Sequence, residues 1–146
     1  MLVGNLLPTL HAGTARLKPG APLLEAARLL GDGHCMVLVC DDAGTLVGIV
    51  TKADVVRQTG RCEGANCCAA VSSAMVRDVV TTGPQTTLQE IWQVMNARGL
   101  RKIPVLDAQS RPLGVLRAHD VLVALLAEVH QEEELLRNYA MNLGYR

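Results

Sequence analysis

Thr51, Asp54, Arg101 and Lys102 are polar or charged residues of this chain whose side-chain types suit binding chemistry. A carboxylate such as that of Asp54 accepts two hydrogen bonds at once from a cis-diol, and charge-assisted bonds of this kind are stronger than neutral ones. A hydroxyl such as that of Thr51, placed near a helix N-terminus, lies where backbone N–H groups and the helix dipole favour phosphate. Arg and Lys are the cations that a phosphate group requires.

The same four residues also have purely structural interpretations. Thr51 and Asp54 fit a helix capping box, with Thr51 as the N-cap and Asp54 in the first turn. Arg101 and Lys102 fit solvated charge between a helix and a strand, since Lys and Arg are common on protein surfaces. Taken alone, the spacing of Thr51 and Asp54 favours the capping interpretation.

An internal duplication places these residues on elements. Residues 37–56 match residues 103–122 at a constant offset, so that Gly48 is equivalent to Gly114 and Asp54 to Asp120. Arg117 occupies the place of Thr51 and cannot cap a helix as a hydroxyl does, yet Asp120 is still present. The duplication therefore favours ligand binding over capping as the role of the paired aspartates, although one helix N-terminus can serve both roles.

Each copy shows the same order of elements. Apolar residues at helical spacing predict helices over 23–30 and 88–95. Short apolar runs at 37–40 and 103–106 end at an aspartate, and second runs follow at 46–50 and 113–116. So short a turn between two strands predicts antiparallel hairpins. A second helix then begins near Asp54 in one copy and near Asp120 in the other.

The predicted fold is therefore α/β of the α+β type, with two strand–helix–strand–strand–helix repeats packed about a pseudo-two-fold axis. We expect the first repeat over residues 3–57, a linker over 58–73, the second repeat over 74–130 and a C-terminal helical extension over 131–146. The acidic stretch in that extension fits a solvated helix face.

The duplicated segment resembles the CBS-domain family, and the two copies together resemble a Bateman module. The most telling motif is Gly48-Ile49-Val50-Thr51-Lys52-Ala53-Asp54, which follows the family pattern Gly-hydrophobic-x-Thr/Ser-x-x-Asp. The resemblance implies an adenine-nucleotide site in which Thr51 contacts phosphate and Asp54 contacts ribose. It also implies that the other repeat completes this main site, with Val80 and Thr81 beside the base and Leu100, Arg101 and Lys102 near base and phosphate.

The second implied site departs from the pattern. Its motif, Gly114-Val115-Leu116-Arg117-Ala118-His119-Asp120, has Arg117 in place of Thr or Ser. The residues implied to complete it are Ala15, Arg16, His34, Cys35 and Met36, which lack the Arg-Lys pair. Arg117 either pairs with a phosphate or fills the site and excludes a ligand, and the sequence leaves both alternatives open.

Composition narrows the function classes. The 14 basic and 14 acidic residues of the 146-residue chain cancel, and the chain has no Phe, one Trp and two Tyr. Nucleic-acid binders usually carry a basic surplus and aromatic stacking faces, so we expect no nucleic-acid partner. No apolar run is long enough to span a bilayer and none resembles a signal peptide, which predicts a cytoplasmic protein without a membrane partner.

The five cysteines suggest neither a disulfide framework nor a firm metal site. Cys62, Cys67 and Cys68 fall in the predicted linker with a spacing that lacks a matching second pair of zinc ligands, so we expect no metal. They fit small apolar filler or a redox-responsive thiol. Cys35 and Cys40 are expected to be buried at strand positions.

The resulting expectation is a regulatory module, not an enzyme, that senses AMP, ADP or ATP and needs no cofactor. S-adenosylmethionine is an alternative ligand. A homodimer through the helices near Asp54 and Asp120 is expected, together with a regulated protein whose identity the sequence leaves unknown. Two rival classes stay open, a ligand-free dimerisation module whose final helix docks on a partner and, less favoured, a thiol- or metal-dependent enzyme.

Overall fold

The computed structural model describes residues 1–10, 14–61 and 69–144, and its first half follows the predicted order of elements. After a 3-10 helix over Val3–Thr9, the elements are β1 (Ala15–Leu17), α1 (Leu23–Gly31), β2 (Val37–Cys40), β3 (Leu46–Val50) and α2 (Lys52–Arg61). Strand β2 lies between β1, to which it is parallel, and β3, to which it is antiparallel. The hairpin predicted over 37–50 is therefore confirmed.

The second half contains α3 (Val71–Ala74), α4 (Leu88–Arg98), β4 (Lys102–Leu106), β5 (Pro112–Arg117) and α5 (Ala118–Gly144). Strands β4 and β5 form the second predicted antiparallel hairpin. The first strand predicted for this repeat is reduced to a single parallel bridge between Thr82 and Val105. Gly83 and Pro84 follow directly, and Pro84 has no N–H with which to continue a ladder.

The two hairpin turns use the same local chemistry, which explains why an aspartate ends the first strand of each. One Asp41 carboxylate oxygen accepts hydrogen bonds from the backbone N–H groups of Ala43 and Thr45, at 3.0 and 2.9 Å. The equivalent Asp107 oxygen accepts from Gln109 and Arg111, both at 2.9 Å. These side-chain bonds replace backbone partners inside the turns and fix where each hairpin reverses.

Parts of the predicted linker and of the N-terminal segment lie in regular structure. Helix α2 continues through Arg61, and α3 occupies residues 71–74, while Cys62, Cys67 and Cys68 lie outside the described residues. The N-terminal segment packs on the second half, where Val3 is buried and its N–H donates to the Thr86 carbonyl at 2.8 Å.

Three groups of buried apolar residues hold the chain together. One lies beneath α1 and includes Val71 of α3, and another joins Val3 and Leu10 to α4, β4, β5 and the start of α5. The third spans both halves, because Met36, Leu38 and Cys40 pack with Val115 of β5. The two halves therefore share a core and are not independent units.

The motif glycines permit close crossings of the chain. A Cβ atom built on Gly48 would lie 2.8 Å from the Met75 sulfur and 2.9 Å from the Val76 carbonyl oxygen. On Gly114 it would lie 2.8 Å from the Leu10 Cβ. Such distances are too short for any real Cβ, so the crossing segments fit only over glycine.

Helix α5 is much longer than the body that it packs on. Its 27 residues extend about 40 Å, and its buried residues, Val121 and Ala124, both lie in the first third. Beyond Glu128 the described side chains are exposed, including Leu135 and Leu136 at 68% each and Tyr139 at 65%. None of the helices that the described residues form is long and apolar enough to cross a membrane.

We predict that Gly48→Ala lowers the free energy of unfolding by about 1–3 kcal/mol, the usual cost of overpacking, because the new methyl group meets Met75 and the Val76 carbonyl. Chemical denaturation measures the change. Gly20→Ala is the control, since nothing lies within 4 Å of a Cβ at Gly20. Equal stability of the two variants would contradict the crossing at Gly48.

Candidate functional site

Asp54 lies in the first turn of α2 and is only 5% exposed. One of its carboxylate oxygens, Oδ2, accepts hydrogen bonds from the Thr51 N–H at 2.8 Å and from the Thr51 hydroxyl at 2.9 Å. The other, Oδ1, pairs with the Arg57 guanidinium at 3.2 Å. Thr51 and Asp54 thus make the helix-capping contact, in which the acidic residue of the first turn reaches back to the N-cap.

Asp54 also borders a cavity of about 250 Å³ between the two halves. Five of the seven residues predicted for the main site line this cavity: Thr51, Asp54, Val80, Leu100 and Lys102. The carboxylate that caps α2 therefore also borders the cavity.

Thr81 and Arg101 are the two predicted residues that do not line the cavity. Thr81 is exposed, and the next residue, Thr82, forms the bridge to Val105. The Arg101 carbonyl accepts a hydrogen bond from the Ala118 N–H at 2.7 Å, and its side chain is exposed. The structure brings only Lys102 of the predicted Arg-Lys pair to the cavity.

The cavity contains residues that the sequence interpretation missed. Arg57 and Asp78 add one charge of each sign, and Ile49, Ala53, Val76, Val79 and Pro104 complete the lining. Arg57 lies three residues after Asp54 on α2, and this spacing is a recognisable signal for an ion pair. Asp78 precedes the bridge at Thr82 in a segment without regular structure, and no pattern marks it.

The second implied site is arranged differently. Its cavity, of about 380 Å³, is lined by Thr14, Gly33, His34, Cys35, Met36, Lys102, Val115 and Arg117. Asp120 is not among these lining residues, and neither are Ala15 and Arg16. Ala15 is buried in β1, and the Arg16 guanidinium donates to the Pro112 carbonyl at 2.9 Å.

Arg117 makes a two-pronged ion pair with Asp120. Its Nε donates to Oδ2 at 2.9 Å and its Nη2 donates to Oδ1 at 3.2 Å. The hydrogen bond to Asp120 raises the pKa of the Arg117 guanidinium. Arg117 thus takes over at Asp120 the role that the Thr51 hydroxyl and N–H have at Asp54.

The two described cysteines are free thiols in different surroundings. Cys40 is buried, as predicted, and burial raises the pKa of its thiol, with a further increase from Asp41 and an opposing effect from Arg16. The prediction that Cys35 is buried is wrong, because β2 begins only at Val37 and Cys35 lies exposed in the bend before it. No cluster of metal-ligating side chains is present in the part of the chain that the structure describes.

A larger hollow of about 690 Å³ lies over the turn between β1 and α1. It is an open groove that includes Arg16 but none of the residues predicted for the main site. The candidate site is therefore assigned by the convergence of Thr51, Asp54 and Lys102 and not by cavity size.

Comparison with known proteins identifies the family. A family model for the CBS domain matches residues 15–60 and 71–127, which is most of the chain and both repeats. The chain belongs to the CBS-domain family. The resemblance seen in the duplicated motif is thereby confirmed.

Two relatives show how the CBS pair occurs in proteins of different length. The CBS domain-containing protein YhcV of Bacillus subtilis is 25% identical over 121 residues, covering 83% of this chain and 85% of YhcV. The inosine-5'-monophosphate dehydrogenase of Thermoplasma acidophilum is 27% identical over 106 residues, covering 73% of this chain. The match spans only 20% of that dehydrogenase.

Two solved CBS pairs share the fold and contain adenosyl ligands. CBSX2 from Arabidopsis thaliana, in complex with AMP, is similar with a TM-score of 0.71 at 24% identity, covering 86% of this chain and 96% of that one. The CBS pair of MJ0100, in complex with 5-methylthioadenosine and S-adenosyl-L-methionine, has a TM-score of 0.69 at 20% identity. It covers 88% of this chain and 98% of that one.

We predict that Thr51→Val lowers the free energy of unfolding by about 1 kcal/mol, the usual net value of one hydrogen bond, because Asp54 loses the hydroxyl donor but keeps the backbone N–H. Thr51→Ser keeps the hydroxyl and is expected to retain most of the stability. Denaturant titration of the three proteins measures this, and equal loss in both variants would contradict the contact.

Proposed function

We propose that this CBS pair is a regulatory, non-catalytic module that binds an adenine nucleotide in the cavity at Asp54. AMP, ADP and ATP are the candidate ligands, and no cofactor is needed. The observation that carries the proposal is the opening of the Asp54 carboxylate onto a cavity that also contains a cation and apolar side chains. The AMP complex of CBSX2 supports the same ligand class.

The chemistry of the cavity matches the three parts of a nucleotide. Asp54 accepts hydrogen bonds from the ribose hydroxyls, with a hydrogen bond to a charged group contributing about 1.5–3 kcal/mol. Val80 and Leu100 provide apolar contact for the adenine ring, and Lys102 provides the cation for phosphate. Arg101 stays a prediction as a further phosphate contact, and Thr81 as a contact of the base.

Arg57 links ligand binding to a change in the protein. It covers Oδ1 of Asp54, but its side chain is 58% exposed and makes a single bond of 3.2 Å there. A ribose hydroxyl can replace this single bond at Oδ1, because the two hydrogen bonds from Thr51 continue to satisfy Oδ2. The released guanidinium lines the same cavity and can turn to the phosphate. A ligand shifts the module only by the difference in its affinity for the two arrangements.

S-adenosylmethionine is the alternative ligand, and the charges in the cavity favour a nucleotide over it. The sulfonium of S-adenosylmethionine is a cation, whereas Lys102 and Arg57 present positive charge to a phosphate. Asp78 is the one lining group besides Asp54 that would attract a sulfonium. Separate titrations with AMP, ATP and S-adenosylmethionine distinguish these ligands.

We predict that AMP or ATP binds the purified chain with measurable heat and that Asp54→Asn weakens binding roughly 10–100-fold, since each tenfold loss is about 1.4 kcal/mol. Isothermal titration calorimetry measures both. Asp32→Asn, an exposed position at the end of α1, is the matched control and keeps the affinity. Absence of heat with every nucleotide, or unchanged affinity in Asp54→Asn, refutes the proposal.

We also propose a homodimer, in which exposed apolar side chains of α2 and of the start of α5 meet across a two-fold axis. Val56 is 71% exposed on α2, and Leu122, Val123 and Leu126 are exposed on α5.

The rival function, a ligand-free interaction module, is favoured by the exposed distal half of α5. The calorimetry above separates it from nucleotide sensing, because a ligand-free module takes up no nucleotide.

We predict that light scattering of the purified chain gives the mass of a dimer and that Leu126→Glu gives the mass of a monomer, because a charge is then buried in the interface. Leu24→Glu introduces the same charge at an equally exposed leucine of α1 and keeps the dimer. A monomeric mass for the unmodified chain, or a dimeric Leu126→Glu, contradicts this interface.

A further inference from the structure

The aspartates of the two repeats differ in whether they line the cavity of their own site. Asp54 lines the main cavity directly, beside Thr51. In the second repeat Arg117 lines the cavity, and Asp120 does not. The residue that borders the second cavity is therefore Arg117, whose guanidinium is paired with the Asp120 carboxylate.

We propose that Arg117 is a built-in occupant of the second site, so that the chain binds one nucleotide and not two. This inference rests on the proposed function, because it assumes that the ribose is recognised by the repeat aspartate. The residue three positions before that aspartate then decides whether a repeat binds a nucleotide. With threonine at position 51, Oδ1 of Asp54 is held by one guanidinium bond from Arg57, whereas arginine at position 117 bonds both oxygens of Asp120.

The proposed closure comes from the pairing of Arg117 with Asp120 and not from a smaller cavity. The second cavity, at about 380 Å³, is larger than the main one at about 250 Å³. What differs is the strength of the pairing that a ribose hydroxyl must replace. A fork of two charge-assisted bonds between guanidinium and carboxylate exceeds what a neutral hydroxyl offers.

The pair that Arg57 makes with Asp54 in the main site is weaker than the pair that Arg117 makes with Asp120. It makes one bond to Asp54, and its side chain is 58% exposed. Arg117 makes two bonds to Asp120 and is 38% exposed. Asp54 Oδ2 also accepts two hydrogen bonds from Thr51, and these do not depend on Arg57.

The alternative role for Arg117, a phosphate ligand in the second cavity, requires it to leave Asp120. The Asp120 side chain is only 17% exposed, so the departure would leave a largely buried carboxylate without its cation. Breaking one partner from such a pair is costly. The structure therefore favours retention of the pair over phosphate binding by Arg117.

Cys35 gives a local readout of the second cavity. It is an exposed free thiol that lines that cavity and not the main one. A nucleotide bound in the second cavity should shield Cys35 from alkylation by iodoacetamide. Peptide mass spectrometry measures its labelling separately from that of the other cysteines.

The test combines AMP stoichiometry by calorimetry with the labelling of Cys35. The unmodified chain is expected to bind one AMP, with no protection of Cys35. Arg117→Thr is expected to bind two, with at least a severalfold slower labelling of Cys35 by iodoacetamide in saturating AMP. Arg28→Thr, which removes an exposed arginine of α1 outside both cavities, is expected to behave as the unmodified chain.

Thr51→Arg provides a second, reciprocal variant whose folding is checked by circular dichroism. It places an arginine before Asp54 and is expected to weaken AMP binding at the main site at least tenfold. Two AMP molecules on the unmodified chain, or Arg117→Thr without Cys35 protection, overturns the inference. So does a folded Thr51→Arg with unchanged affinity.

The outcomes for the second site and for the proposed function remain distinguishable. An unmodified chain without AMP refutes nucleotide binding at Asp54, whatever happens at the second site. Protection of Cys35 that appears only in Arg117→Thr still supports the closure by Arg117, since that readout depends on the second cavity alone.

Discussion

The arrangement of this chain depends on one close crossing, where the segment leading into the second repeat passes over β3. Ile49 and Val76 exchange backbone hydrogen bonds in both directions, at 3.0 and 2.8 Å. The approach requires that the preceding residue of β3 be Gly48, because a methyl group there would overlap Met75 and Val76. The crossing fixes the position of Asp78, Val79 and Val80. These residues then form the wall that faces Asp54 at the start of α2.

A similar crossing occurs in the second repeat, where the N-terminal segment passes over β5. Leu10, near the N-terminus, lies against Gly114 of β5 as Met75 and Val76 lie against Gly48 of β3. The glycine of the duplicated motif therefore has a structural role, and the position three residues later determines the chemistry. The Thr51 hydroxyl donates to Asp54, whereas the Arg117 guanidinium pairs with Asp120. A single difference between two nearly equivalent junctions thus changes the group that bonds the repeat aspartate, a hydroxyl in one and a guanidinium in the other.

Much of the fold could be predicted from the duplication, because each hairpin and helix has an independent second copy of its pattern. The position of residues 1–10 could not, since an apolar segment without a duplicated partner does not indicate which core it joins. Val3 packs with Leu88 and Ile91 of the second half, far along the chain.

The candidate site was predicted in part, and its errors have a common cause. Family resemblance places residues along the chain but does not give the direction of a side chain. Lys102 therefore reaches the cavity while the neighbouring Arg101 does not, and Asp78 lines it without any sequence signal. The spacing of Arg117 and Asp120 could have indicated an ion pair, but only the structure shows that the guanidinium bonds both carboxylate oxygens.

The most direct test of nucleotide binding at Asp54 is a crystal structure of the chain grown with AMP. Our account predicts the ribose hydroxyls within hydrogen-bond distance of Asp54 Oδ1, with Arg57 displaced from it and the phosphate near Lys102. A nucleotide bound elsewhere, or one bound beside an intact Arg57–Asp54 pair without contact to the carboxylate, would contradict it.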